Sequence, residues 1–189
     1  VTLITPEAVS GSHAMLFGHA AAADAGTLSG AVTLDGSGDY VLIPSDAFPD
    51  MDSFTIAAWI KSTYVNGRAV FMRGDAAGGN EIYFGFYNGS TIDIHIDNSS
   101  VQRFSGSTNF ADGNWHHVAM TYNGTDQTLN CYADGALYGT STVPEGTQAD
   151  ISFEGSHALI GADFDSFNGS LGNYFSGQID DVRVWNTAR

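Results

Sequence analysis

Basic residues are scarce: six Lys and Arg stand against 21 Asp and Glu, for a formal charge of −15 at pH 7. With so few cations the chain has little to displace the counterions of a phosphate backbone or an anionic bilayer, which excludes nucleic acid and membrane surfaces as partners. Cys131 is the only cysteine, which excludes an intrachain disulfide. No apolar run reaches membrane-spanning length, which excludes an inserted helix. Charged residues make up 14% of the chain, against roughly 25% in an average soluble domain. Gly-x-Ser-x-Gly, His-Glu-x-x-His and phosphate-loop motifs are missing, and with them the commonest hydrolase and nucleotide chemistries. The chain opens at Val1 without a signal-peptide pattern and reads as a module cut from a larger protein, with neighbouring domains and targeting information outside it.

What is present is period-two alternation. In "SFTIAAWIKS", Phe54, Ile56, Ala58 and Ile60 share one parity and Thr55, Ala57, Trp59 and Lys61 the other. In "TIDIHID", Ile92, Ile94 and Ile96 oppose Asp93, His95 and Asp97. The same reasoning predicts strands at 31–34, 40–43, 69–73, 81–87, 116–122, 129–133, 157–160 and 177–185. Between them lie "DGSGD", "VNGR", "YNGS", "YNGT" and "ADGA", whose Asn-Gly and Asp-Gly pairs suit tight hairpins. "HAAAADAGTLSG" is interrupted by glycine and is expected to be loop, with at most one helical turn. Many short strands joined by such turns specify an all-β fold, an antiparallel two-sheet β-sandwich. A length of 189 residues, 43% hydrophobic and without a repeat or linker, predicts a single domain over 1–189 with a loop-rich lead-in at 1–30.

Three blocks carry a family resemblance. "GAVTLDGSGDYVLIPS" followed by "SFTIAAWIKS", then "NWHHVAMTYNGTDQTLNCYADGALYG", then "YFSGQIDDVRVWNTAR" resembles the laminin G-like, concanavalin A-like jelly rolls of bacterial surface proteins and of pentraxins. The resemblance spans about Ala31 to Arg189. It implies two antiparallel sheets of roughly six or seven strands, with the terminal strands close together, and a structural role for Trp59, Val118, Met120, Val182 and Val184. Ala57 and Ala119 stand about where pentraxins carry a cross-sheet disulfide, so packing replaces that link here.

The resemblance also implies a calcium site. Pentraxins hold the ion with side chains from a strand start, from an acidic loop and from just before a Phe-x-Gly. Overlaid residue by residue, "GGNEIYF" supplies Asn80, "IGADFDSFNG" supplies Asp163 and Asp165 with the Phe164 carbonyl between them, and "GNYFSG" supplies Asn173. Alternate aspartates in a glycine-bounded loop suit Ca²⁺, which takes about six to eight oxygen ligands; the alternative is a solvated turn. Gly79 replaces an acidic residue of the pentraxin pattern, which favours one ion over two. Laminin G-like and laminarinase-like relatives imply a second, structural calcium at Asp35 or Asp39 and Asp180, the alternative being that Asp180 and Asp181 pair with Arg183 or face water.

The leading functional expectation is a calcium-dependent glycan-binding module of an extracellular or cell-surface protein such as a bacterial adhesin, without enzymatic activity. Sugar rings would stack on Phe164, Phe167, Tyr83 or Tyr174. A structural spacer or protein-binding domain is the alternative. A glycosidase is a further one, since "DIHID" imitates a paired-carboxylate strand. Retaining hydrolysis needs carboxyls about 5–5.5 Å apart, whereas strand positions i and i+4 lie about 13 Å apart, so Asp93 and Asp97 converge poorly.

Overall fold

A computed structural model describes residues 14–23, 26–27, 30–44, 51–75, 79–96, 100–143, 157–164 and 170–189. The described elements are all strands: β1 Met15–Phe17, β2 Ala21–Ala23, β3 Ala31–Asp35, β4 Tyr40–Ile43, β5 Phe54–Tyr64, β6 Arg68–Asp75, β7 Gly79–Asn88, β8 Thr91–Ile96, β9 Ser100–Ser105, β10 Trp115–Asn123, β11 Thr128–Ala133, β12 Ala136–Thr142, β13 His157–Ile160, β14 Asp163–Phe164, β15 Leu171–Gly172 and β16 Ser176–Trp185. They form two seven-stranded antiparallel sheets, ordered β1-β4-β13-β6-β7-β8-β9 and β12-β11-β10-β5-β16-β3-β2, plus the β14–β15 hairpin. This is the expected jelly-roll sandwich. The C-terminal strand β16 lies between β5 and β3, which brings the two ends of the domain together as anticipated.

The core follows from the alternation. Ile82, Phe84, Phe86, Ile92, Ile94 and Ile96 of the first sheet meet Phe54, Ile56, Ile60, Val118, Met120 and Leu129 of the second, all essentially without solvent exposure. Each such side chain contributes on the order of 1.5–3 kcal/mol by leaving water. Cys131 is buried among them, and its thiol is pushed up to about 12 by burial, an inert core residue.

Three local expectations are corrected. The stretch read as loop carries a strand, because Ala21–Ala23 pairs with β3 and extends the second sheet; small alanines have no strong preference of their own and take the pairing that is offered. Ala57 and Ala119 are direct neighbours on the adjacent strands β5 and β10, within one sheet and not across the sandwich. Of the Asn-Gly and Asp-Gly turns among the described residues, only Asp134–Gly135 has two consecutive positive φ angles, 50° and 80°, the mirror-image turn that matches strand twist.

Candidate functional site

The acidic loop begins where β13 ends. Gly161 has φ +80°, and a Cβ there would fall 2.3 Å from Leu34 Cδ1, so only glycine turns the chain at this point. Its N–H donates to the Val70 carbonyl (3.1 Å) and its carbonyl accepts from Phe175 N–H (2.8 Å). Beyond this turn β14 packs against β6 and β7, on the side that Tyr83 faces. Phe175, fully buried, closes the segment.

Within it, Asp163 is 4% exposed, and Asn173 Nδ2 donates to Asp163 Oδ2 at 3.0 Å. The β14–β15 register places Asp163 opposite Gly172, so the next residue reaches the carboxylate. Asn173 has φ 49°, a left-handed conformation that asparagine tolerates better than most residues, and its carbonyl accepts from Ala69 N–H (3.1 Å). Two residues ten apart are thereby fixed side by side through backbone bonds to β6.

Tyr83 and Tyr174 belong to the same corner. Tyr83, 4% exposed on the outward parity of β7, has its phenol pushed well up by burial and then by the charges of Asp163 and Asp93, against a smaller opposing pull from Arg68. Tyr174 is half-buried, and burial, then Tyr40 and Asp163, raise its phenol. Phe164 is half-buried and pairs with Leu171. Asn80 lies at the start of β7, opposite Gly74, three residues before Tyr83. Asp165 and Phe167 lie outside the described residues.

The second set of acidic positions divides. Asp39, 1% exposed, accepts the backbone N–H groups of His19 and Asp35 through different oxygens. Burial pulls its carboxyl up, and the two backbone donors, with smaller contributions from the Asp35 and His19 side chains, together bring it below the ordinary value. Asp35 accepts Ser37 N–H (2.7 Å) and faces His19 Nδ1 at 3.6 Å. His19, Asp35 and Asp39 offer ligand atoms within 4.8 Å of one another. Asp180 does not join them. On β16 the residue opposite Asp35 is Ser176, four positions away, about 13 Å along a strand. Asp180 instead accepts from Thr27 N–H (2.6 Å) and Thr27 Oγ1 (2.9 Å). Asp181 forms the pair with Arg183, at 2.8 Å.

The "DIHID" carboxylate has its own partners. Asp93 lies 3.2 Å from Arg103 Nε and 3.3 Å from His95 Nε2, and the His95 ring packs on Tyr83 at 4.8 Å between centroids. Asp97 lies outside the described residues. Arg103 and Tyr87 escaped the sequence reading because β9 was not recognised; the signal was the Val101/Arg103 against Gln102/Phe104 alternation in "SVQRFS".

His116 and His117 point to opposite faces, as adjacent strand residues must. His117 meets Trp59 edge-on, while His116 sits between Asp134 (Nδ1, 2.9 Å) and Asp112 (Nε2, 3.1 Å). Each nitrogen addresses a different carboxylate, so the three groups do not converge on one ion.

Two seven-stranded antiparallel sheets with a rim hairpin define a lectin-type jelly roll. A concanavalin A-like lectin/glucanases superfamily profile (Laminin_G_3) matches residues 35–189, and the chain belongs to that family. It is 27% identical over 143 residues to pentraxin-related protein PTX3 of Mus musculus, covering 71% of this chain and 36% of that protein, so it spans about a third of that relative's length. Among solved structures, the fold is similar to a heptameric SAP-like pentraxin from Limulus polyphemus (TM-score 0.66, 22% identity, 83% of this chain and 76% of that one). It is also similar to the CBM40 domain of a Ruminococcus gnavus IT-sialidase bound to α2,3-sialyllactose (TM-score 0.60, 17% identity, 74% and 78%).

Proposed function

We propose that this chain is a non-catalytic, calcium-dependent glycan-binding module of a secreted or cell-surface protein. The observation that carries this reading is the Asp163–Asn173 pair, an anionic and a neutral oxygen-bearing side chain held 3.0 Å apart on a rim hairpin. Both offer the hard oxygens that Ca²⁺ prefers. Asn173 donates through Nδ2 here, and a half-turn of its amide presents Oδ1 to a cation without moving the backbone. Asp165, the Phe164 carbonyl and Asn80 are the further ligands this reading assigns. Bound Ca²⁺ would supply open positions for vicinal sugar hydroxyls, while Tyr174 and Phe164 flank them with aromatic surface. Phe167 is the further aromatic contact assigned, while Tyr83, expected to stack on a sugar, is 4% exposed and supports the corner from beneath.

The non-catalytic part rests on Asp93, whose carboxylate is engaged by Arg103 and His95. The adhesin setting and extracellular location rest on the family, on the acidic charge, which suits a calcium-rich medium, and on the described residues containing no helix long and apolar enough to cross a membrane.

A glycan array probed with and without chelator tests the proposal; absence of any calcium-dependent signal refutes it. A protein-binding role is favoured by one observation, the exposed Met15, Leu16 and Phe17 on the edge strand β1. In that case a protein partner would be lost on Leu16→Lys and sugars would not bind.

A further inference from the structure

The outward side of the first sheet is covered over β6 and β7 by β14, and the described residues become exposed toward β9, at Val101 and Arg103. Beneath the roof, Tyr83 lies across Gly85, where a Cβ would fall 2.5 Å from the phenol oxygen. Gly85 faces Asp93 across the strand pair, and Asp93 faces Arg103 across the next. Missing bulk at position 85 is thus what allows the Tyr83 phenol to feel both Asp163 under the roof and Asp93 beyond it. The line continues outward: Arg103 bonds Asp93 through Nε and lays its guanidinium carbon 4.0 Å from the centre of the Tyr87 ring. Tyr87 is 53% exposed, with Arg103 set against its ring.

We propose that this shelf, Tyr87, Arg103, Asp93 and His95, is an extension subsite for a neutral oligosaccharide whose end residue occupies the Asp163–Asn173 corner. This rests on the glycan reading above. Tyr87, fixed on one side by Arg103, presents ring surface to the apolar face of a pyranose or furanose. The half-exposed Arg103 donates to ring or hydroxyl oxygens, while Asp93, nearly buried, and His95 beside it hold the guanidinium in place from below. A neutral sugar is specified because the Arg103 charge is already matched by Asp93, and the surrounding −15 chain repels acidic sugars. The residues are polar, pre-positioned by cross-strand register, and continuous with the corner through Tyr83.

The test uses the whole chain in millimolar CaCl₂ with neutral trisaccharides (arabinotriose, laminaritriose, cellotriose, N-acetyllactosamine extended by one hexose), their monosaccharides, and 3′-sialyllactose. Affinity is read by calorimetry and location by amide shifts. The expected result is trisaccharide binding that moves the amides of Tyr87, Asp93, His95 and Arg103. It falls about tenfold in Tyr87→Ala and is kept in Tyr87→Phe, with monosaccharide and calcium affinities unchanged. Trisaccharide affinity unaltered by Tyr87→Ala overturns the subsite and leaves the rim reading standing. Trisaccharide binding that survives chelator and is lost in Tyr87→Ala supports the subsite and removes calcium from the function. Preference for sialyllactose overturns the neutral-ligand assignment, and absence of binding by every sugar overturns both proposals.

Discussion

Two acidic corners of this molecule look alike in sequence and differ in what occupies their oxygens. At Asp39 the carboxylate is capped by two backbone N–H groups, from His19 and Asp35. Those donors are part of the turn and cannot leave without unmaking it. At Asp163 one hydrogen bond comes from the Asn173 side-chain amide, a group that can rotate and offer an oxygen instead. Carboxylates serving as caps for the backbone hold the fold together; carboxylates facing adaptable side chains are able to exchange a partner for a cation. A third arrangement brings its own cation, since His116 lies between Asp112 and Asp134 and satisfies both only with both ring nitrogens protonated.

The largest effect that would break this contrast is on calcium. Asp163→Ala should abolish calorimetric Ca²⁺ binding while leaving the circular dichroism of the sandwich intact; an unchanged isotherm removes the rim from consideration. Asp39→Ala should do the reverse, costing about 1–2 kcal/mol in urea unfolding by leaving two part-buried N–H groups without an acceptor, with calcium affinity as in the parent. Because the Asp39 carboxyl lies below its ordinary value in the folded state, its contribution is present above the unfolded carboxylate range. It is lost as pH falls through the folded value, so the parent and Asp39→Ala should converge in acid.

His116 should show the opposite sign and a smaller size, about 1 kcal/mol. Burial works against its charge, but the bonds to Asp134 and Asp112 outweigh burial and raise its value. Its stabilisation is complete below the unfolded histidine range and disappears as pH rises through the folded value. His116→Gln should therefore narrow the stability gap between pH 5.5 and 8.5 seen in thermal melts. Smallest of all, His19→Ala, at a side chain 88% exposed, should alter stability by less than about 0.5 kcal/mol. A loss of divalent binding in that variant would make the Asp39 corner a metal site and erase the distinction.

How far the sequence revealed this can be traced residue by residue. Strands with one buried face were plain, because Ile92, Ile94 and Ile96 against Asp93 and His95 leave no other arrangement. β9 and β12 were not seen, since edge strands such as "SVQRFS" and "ALYGTST" bury little and their alternation is faint. The nearness of Asp163 and Asn173 was readable only through the family resemblance; no local rule joins residues across a hairpin whose ends are pinned to β6. The pairing of Asp180 with Asp35 or Asp39 came from the family resemblance alone, whereas its partner Thr27 sits in a glycine-rich stretch with no periodicity to interpret. The Arg103–Tyr87 contact was invisible for the same reason as β9, since a cross-strand pair has no meaning until both strands are known.

The strand at Ser176–Trp185 is wedged between two partners made long before it, and one of its aspartates holds a threonine 153 residues upstream. A nascent polypeptide leaving the ribosome would carry β3 and β5 each with one bare flank, competent to stick to any passing β-edge, until the ten residues of β16 emerged. The first sheet can close once β13 has been made, so the second sheet is the one whose completion waits for the end of the fold.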